Sequence, residues 1–108
     1  NRLEGAENDI NEAFAIYKKL ANGHSELYEP RVADALNNRA KVLVDLNRAE
    51  EGEKDYTKAL EIRRRLTKTH PKLYEPRVAD TLNSRSNALR ELNRLEEAEN
   101  NIKEGFAM

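Results

Sequence analysis

Few residues in this chain are of a type that does chemistry, and those few are spread in a way that points away from catalysis. Histidine, the side chain that titrates nearest neutral pH, occurs only as His24 and His70, far apart and never two on one helix at metal-ligand spacing. The serines are Ser25, Ser84 and Ser86. None sits in a strand-turn-helix setting that would sharpen a nucleophile, no base accompanies them, and no glycine-rich loop is available to cradle phosphate. Glu50-Glu51 and Glu96-Glu97 are carboxylates of first helical turns, where they favour the helix dipole. No catalytic residue, metal site or cofactor is expected. What remains is a polar set whose chemistry is recognition. Asp34, Asn37, Asn38 and Lys41, then Asp80, Asn83, Ser84 and Asn87, recur at spacings of three and four that bring each group onto one helical surface. A side-chain amide offers two donors and an acceptor, enough to pair with a polypeptide backbone whatever its sequence. Lys41 and Arg31 add positive charge suited to an acidic partner.

These residues must be positioned by something periodic. LYEPRVAD runs from Leu27 to Asp34 and returns unchanged 46 residues later, from Leu73 to Asp80. The same shift carries Asn1-Arg2-Leu3-Glu4 to Asn47-Arg48-Ala49-Glu50 and on to Asn93-Arg94-Leu95-Glu96, and Leu20, Leu36, Leu43 and Leu46 to Leu66, Leu82, Leu89 and Leu92. The chain is two full periods and part of a third, and a fixed period of this size marks a repeat architecture.

Each period contains two amphipathic helices. Val32, Leu36, Ala40 and Leu43 recur at helical spacing, as do Tyr56, Ala59, Leu60 and Leu66 after a break near Asn47. Pro30 and Pro76 suit a first helical turn, where the missing amide hydrogen has no partner to lose. Asn47 and Asn93, each followed three residues later by Glu50 and Glu96, read as side-chain caps that open the next helix. Asn22-Gly23-His24 and Lys68-Thr69-His70-Pro71 carry helix-stopping residues. The expected helices cover 2–21, 30–46, 48–68, 76–92 and 94–107, an all-α fold.

The segments LNNRAKVLVDLNRAEEGEKDYTKALEIRRRL and LNSRSNALRELNRLEEAENNIKEGFAM resemble tetratricopeptide repeats. The family's order of large, small and large residues on a first helix, then small, aromatic and small on a second, is met by Leu36, Ala40, Leu43, Gly52, Tyr56 and Ala59. The next copy has Leu82, Ser86, Leu89, Ala98, Ile102 and Gly105, and Ala6, Ile10 and Ala13 fill the second-helix places at the amino end. The period exceeds the family's usual length of about 34 residues and falls in the range of armadillo and HEAT arrays. LNN followed by ALEIRRRL, with HP in the loop, is more similar to the long-repeat branch that includes kinesin light chains. The resemblance implies a right-handed α-solenoid of antiparallel hairpins. Residues 1–21 would be the second helix of a partial repeat, 22–68 one hairpin and 69–108 another. It also implies a concave wall built from the first helix of each hairpin, across which a partner segment lies, with Asn38 in the ligand-pairing asparagine's place and Ser84 its weaker equivalent. Arg39 and Arg85 stand where the family has a large apolar residue. Their stems are expected to pack on leucine, with the guanidinium at the surface or on a neighbouring Glu. Gly52 and Gly105 replace alanine inside helices, at up to about 1 kcal/mol each. Tyr28 and Tyr74, read as loop residues, are expected to pack between hairpins.

Composition bounds the partners. In 108 residues, 19 Lys and Arg stand against 20 Asp and Glu, so no overall positive field draws in a phosphate backbone or an anionic membrane. Nucleic acid is therefore not expected. Charged residues make up 36%, but regularly spaced apolar positions argue for charged helix faces rather than disorder. The absence of cysteine suits a reducing cytoplasmic setting. No apolar run approaches the ~20 residues of a membrane helix, and NRLEGAEND is no secretory signal. A start at Asn1 suggests an excised or processed segment. The expected partner is a protein or peptide. The alternative is a homo-oligomer through the terminal helices, whose outer faces lack the polar caps that arrays need.

Overall fold

Buried positions along the chain fall at helical intervals, and the elements follow them. The computed structural model describes residues 2–108, which form five α-helices and, among the described residues, no strand. They are α1 (Arg2–Ala21), α2 (Ser25–Asp45), α3 (Ala49–Thr67), α4 (Pro71–Glu91) and α5 (Leu95–Ala107). On α3 the buried set is Gly52, Asp55, Tyr56, Ala59, Leu60 and Arg63, one stripe at spacings of three and four. Glu50 and Glu51 open that helix and Arg64 and Arg65 close it, each complementing the helix dipole.

Two helix starts differ from expectation. α2 begins at Ser25 and α4 at Pro71, so Pro30 and Pro76 lie inside helices rather than in their first turn. Proline deprives the carbonyl four residues earlier of its partner. Here those carbonyls belong to Glu26 and Lys72, which are exposed at the helix start, so water can replace the lost bond. Tyr28 and Tyr74 accordingly lie within helices, not loops. Pro71, read as a helix stop, is instead the first residue of α4, where its fixed φ is an advantage.

The asparagines also act differently from the cap expected of them. Asn47 and Asn93 adopt left-handed backbone, with φ of 65° and 59°. They follow the C-termini of α2 and α4. The Asn47 amide donates to the Val44 carbonyl at 2.9 Å and the Arg48 amide to that of Leu43 at 2.8 Å, a pattern repeated by Asn93 on Arg90 and Arg94 on Leu89. This paired closure satisfies carbonyls at a helix end, and asparagine tolerates the left-handed turn better than most residues. The next helix is capped by Arg48 or Arg94 without a side-chain cap. Each of these arginines grips the carboxylate three residues on, Glu51 or Glu97, with two hydrogen bonds. Asn1, the counterpart of Asn47 one period earlier, lies outside the described residues.

Three-residue connections force neighbouring helices to run antiparallel. Each helix packs on its sequence neighbours, and α2 also meets α4, whereas α1 and α3, and α3 and α5, make no close backbone approach among the described residues. The result is a slab with extents of 39 × 38 × 16 Å, the stacked-hairpin order of an α-helical repeat solenoid. α2 and α4 form the inner layer, and α1, α3 and α5 form the outer layer, with clefts between them. Leu36, Leu82 and Leu89 are the largest fully buried apolar side chains, each contributing about 2 kcal/mol by leaving water. The core runs through the stack. Phe14, Tyr17 and Ala21 of α1 cover Val32, Leu36 and Ala59, and further on Leu60 of α3 meets Val78 and Leu82 of α4.

Candidate functional site

The polar faces of α2 and α4 meet at a depression of about 450 Å³. Seven of the nine residues expected to recognise a ligand line it: Asp34, Asn37, Asn38, Lys41, Asp80, Asn83 and Ser84. Arg31 and Asn87 do not. Arg31 is exposed on α2, and Asn87 is engaged by Arg90 on its own helix.

Two arginines complete the wall that spacing on α2 and α4 alone does not predict. Arg77 is the counterpart of Arg31 one period on. Arg63 comes from α3 and is only 5% exposed. It donates to Thr81 at 2.6 Å and to Asp34 at 2.9 Å, and Thr81 in turn donates to Asn37 Oδ1, the side-chain amide oxygen, at 3.3 Å. This chain of bonds ties three helices together beneath the depression and fixes Asp34 and Asn37 as parts of its floor. A signal for Arg63 exists in the sequence, because it continues the stripe of Tyr56, Ala59 and Leu60 by one turn. Its place within Arg63-Arg64-Arg65 hides which of the three turns inward.

Above that floor the site is open. The side chains of Asn38, Lys41, Asp80 and Asn83 are exposed and make no hydrogen bond or ion pair among the described residues. Ser84 is half-buried beside Tyr56. Burial, reinforced by the charge of Asp45, pushes the Tyr56 phenol up to about 12, against a hydrogen bond with Ser84 that lowers it. The phenol therefore stays neutral across physiological pH. Tyr74, Pro30 and Leu73 surround a smaller recess of about 140 Å³ at the edge, next to Asp34, Arg63 and Arg77.

Of the two places expected for the Arg39 and Arg85 guanidiniums, the surface or a neighbouring Glu, Arg85 takes the second on Glu53, whereas Arg39 turns to an aspartate. Arg39 reaches inward to hold Asp55 through Nε at 2.6 Å and Nη2 at 2.9 Å, while its Cζ lies 4.5 Å from the centre of the Phe14 ring. Its pKa is raised, chiefly by that hydrogen bond. Arg85 reaches Asn101 and Glu53 instead, and its Nε is buried without a partner among the described residues. Both belong to the outer layer's interior rather than to the depression.

His24 and His70 precede α2 and α4 and make no side-chain cap. Among the described residues no group of three or more His, Cys, Asp or Glu is placed to hold a metal ion. No helix of the described residues is long and apolar enough to cross a membrane. A family model described as tetratricopeptide repeat matches residues 31–108. No curated protein and no solved structure matches the chain.

Proposed function

Because the chain belongs to the tetratricopeptide repeat family, we propose that it binds a peptide segment of a partner protein in the depression between α2 and α4. Repeats of this family generally mediate protein–protein interaction as non-catalytic scaffolds. The observation that carries the finer reading is the set of uncommitted side chains: Asn38, Lys41, Asp80 and Asn83 line the depression with no partner of their own among the described residues. A backbone laid across them would find amide donors and acceptors from two repeats at once. Lys41 and Arg77 would meet carboxylates of the ligand, and Asp80 a cation.

The 46-residue period supports placing the chain in the long-repeat branch that includes kinesin light chains. The partition into a partial repeat at 1–21 and hairpins at 22–68 and 69–108 belongs to the same proposal, as does a cytoplasmic setting. Peptide-library binding to the chain, followed by Asn38→Ala and Lys41→Ala, tests the groove. Each substitution is expected to weaken the selected peptide about tenfold, the loss of one hydrogen bond or charge contact. Unchanged affinity in both variants removes the groove assignment.

A second reading is favoured by one observation. Phe106 is 94% exposed and Ile102 43%, whereas Leu60 and Tyr56, in the same places one period earlier, are 8% and 3% exposed beneath α4. An apolar face of this kind can join copies of the chain. Sedimentation of the wild type and Phe106→Lys separates the readings: association through this face predicts a concentration-dependent dimer that the variant loses. A monomer at every concentration would eliminate it.

A further inference from the structure

The repeat makes the two clefts of the outer layer directly comparable, and they differ in how their walls meet. Between α3 and α5, Arg64 donates to Glu104 across the gap at 2.7 and 3.2 Å, holding that carboxyl below the usual range. One period earlier, Lys18 of α1 takes the place of Arg64 and Lys58 of α3 takes the place of Glu104. An ion pair in one cleft is thus two cations in the other. Lys18 lies at the end of that cleft, its ammonium 5.8 Å from the centre of the Phe14 ring that Arg39 of the cleft floor also covers. Lys54, one turn before Lys58, adds a third cation where the second cleft has Asn100.

The space between these walls is about 450 Å³. Its three carboxylates are held by arginines, Asp55 by Arg39 and both Glu7 and Glu51 by Arg48; Glu51 also feels the charge of Lys54, and the lining keeps four cations against three anions. Lys18, Lys54 and Lys58 form no ion pair among the described residues. Asn11 accepts from Arg39 through its oxygen, which leaves its amide hydrogens to donate into the gap. The cleft therefore carries a net positive charge and presents ammonium and amide donors beside carboxylates that arginines already engage.

We infer that the α1–α3 cleft is a second docking site, which takes a carboxylate-bearing segment of a partner protein. The Glu or Asp side chain of that segment sits between Lys18 and Lys58 as Glu104 sits beside Arg64. The carboxylate is favoured as occupant because the neighbouring cleft is closed by one, offered from a helix. The site lies in the opposite layer from the depression between α2 and α4 and does not depend on it.

The test uses the full chain at low ionic strength, where exposed charge pairs are least screened. Amide NMR shifts are followed on adding hexaglutamate, with hexaglutamine as the uncharged control. Hexaglutamate is expected to move Asn11, Lys18, Lys54 and Lys58, and hexaglutamine is not. Lys58→Glu rebuilds the second cleft's ion pair and is expected to weaken hexaglutamate at least about tenfold while raising the melting temperature. Lys103→Ala, at an exposed lysine that lines neither the cleft nor the depression, is expected to bind hexaglutamate as wild type does. Shifts centred on Asn38 and Asn83, or equal affinity in Lys58→Glu, overturn the site. Inorganic phosphate moving the same resonances as strongly overturns the carboxylate assignment.

Discussion

Asp55→Ala is expected to lower the unfolding free energy by about 3 kcal/mol, the usual result of stripping one partner from a buried ion pair. For a chain of this size that is a fall of more than ~10 °C in melting temperature. Asp55 is 5% exposed and receives two hydrogen bonds from Arg39, whose side chain is itself 19% exposed. Without the carboxylate, the guanidinium keeps only an exposed bond to Asn11 and the face of Phe14. A cation over an aromatic ring is worth roughly 0.5–2 kcal/mol, too little to hold a desolvated charge inside. The protein contains its own milder version of the change, because Asn101 stands where Asp55 stands one period earlier and leaves Arg85 Nε without a partner. Asp55→Asn should therefore fall between wild type and Asp55→Ala, at about 1–2 kcal/mol. Arg39→Leu combined with Asp55→Leu should recover most of the loss, since neither charge is left buried alone. Thermal and urea denaturation of the four proteins would measure this, and a loss under about 1 kcal/mol in Asp55→Ala would show that water reaches the guanidinium freely.

This arginine marks the boundary of what can be read from residues alone. The period, the number of helices and the pairing of apolar stripes all follow from local spacing, because a stripe at three- and four-residue intervals has one physical outcome. Charged residues on the edge of a stripe have two. Arg39, Arg63 and Arg85 could snorkel outward or turn inward, and the choice depends on a carboxylate or amide supplied by another helix: Asp55, Asp34 with Thr81, and Asn101 with Glu53. Helix ends were ambiguous in the same way. Asn47 followed by Glu50 fits a cap for the next helix, yet a three-residue reversal after α2 needs a left-handed residue, and only Asn47 is suited to it. The depression was legible where a polar face repeats, at Asp34, Asn38, Asp80 and Asn83. It was not legible at Arg63, which enters from the other layer.

Glycine provides the strongest contrast between a local rule and its packed context. By propensity, alanine in place of either Gly52 or Gly105 stabilises a helix by up to about 1 kcal/mol, and on that ground both looked like weaknesses in their repeats. The surroundings divide them. A Cβ on Gly52 would lie 2.9 Å from the Ala40 carbonyl oxygen and 2.9 Å from Val44 Cγ2. The carbonyl belongs to the backbone of α2 and cannot swing away, so α3 must move outward along the face where Tyr56 and Ala40 meet. Overpacking of this kind costs about 1–3 kcal/mol, which exceeds the propensity gain. Gly52→Ala is therefore expected to destabilise by about 2 kcal/mol net. Gly105 is different: its Cβ would meet the Ala79 carbonyl oxygen at 3.4 Å and Leu82 Cβ at 3.7 Å, which is ordinary contact. Gly105→Ala is expected to stabilise by about 0.5 kcal/mol, less than the full propensity because α5 frays at its end. The two variants should thus move the melting temperature in opposite directions, although both make the same substitution at a helical position. A rise in both would mean that α2 and α3 are not held at glycine distance, and the tight contact between them would have to be abandoned.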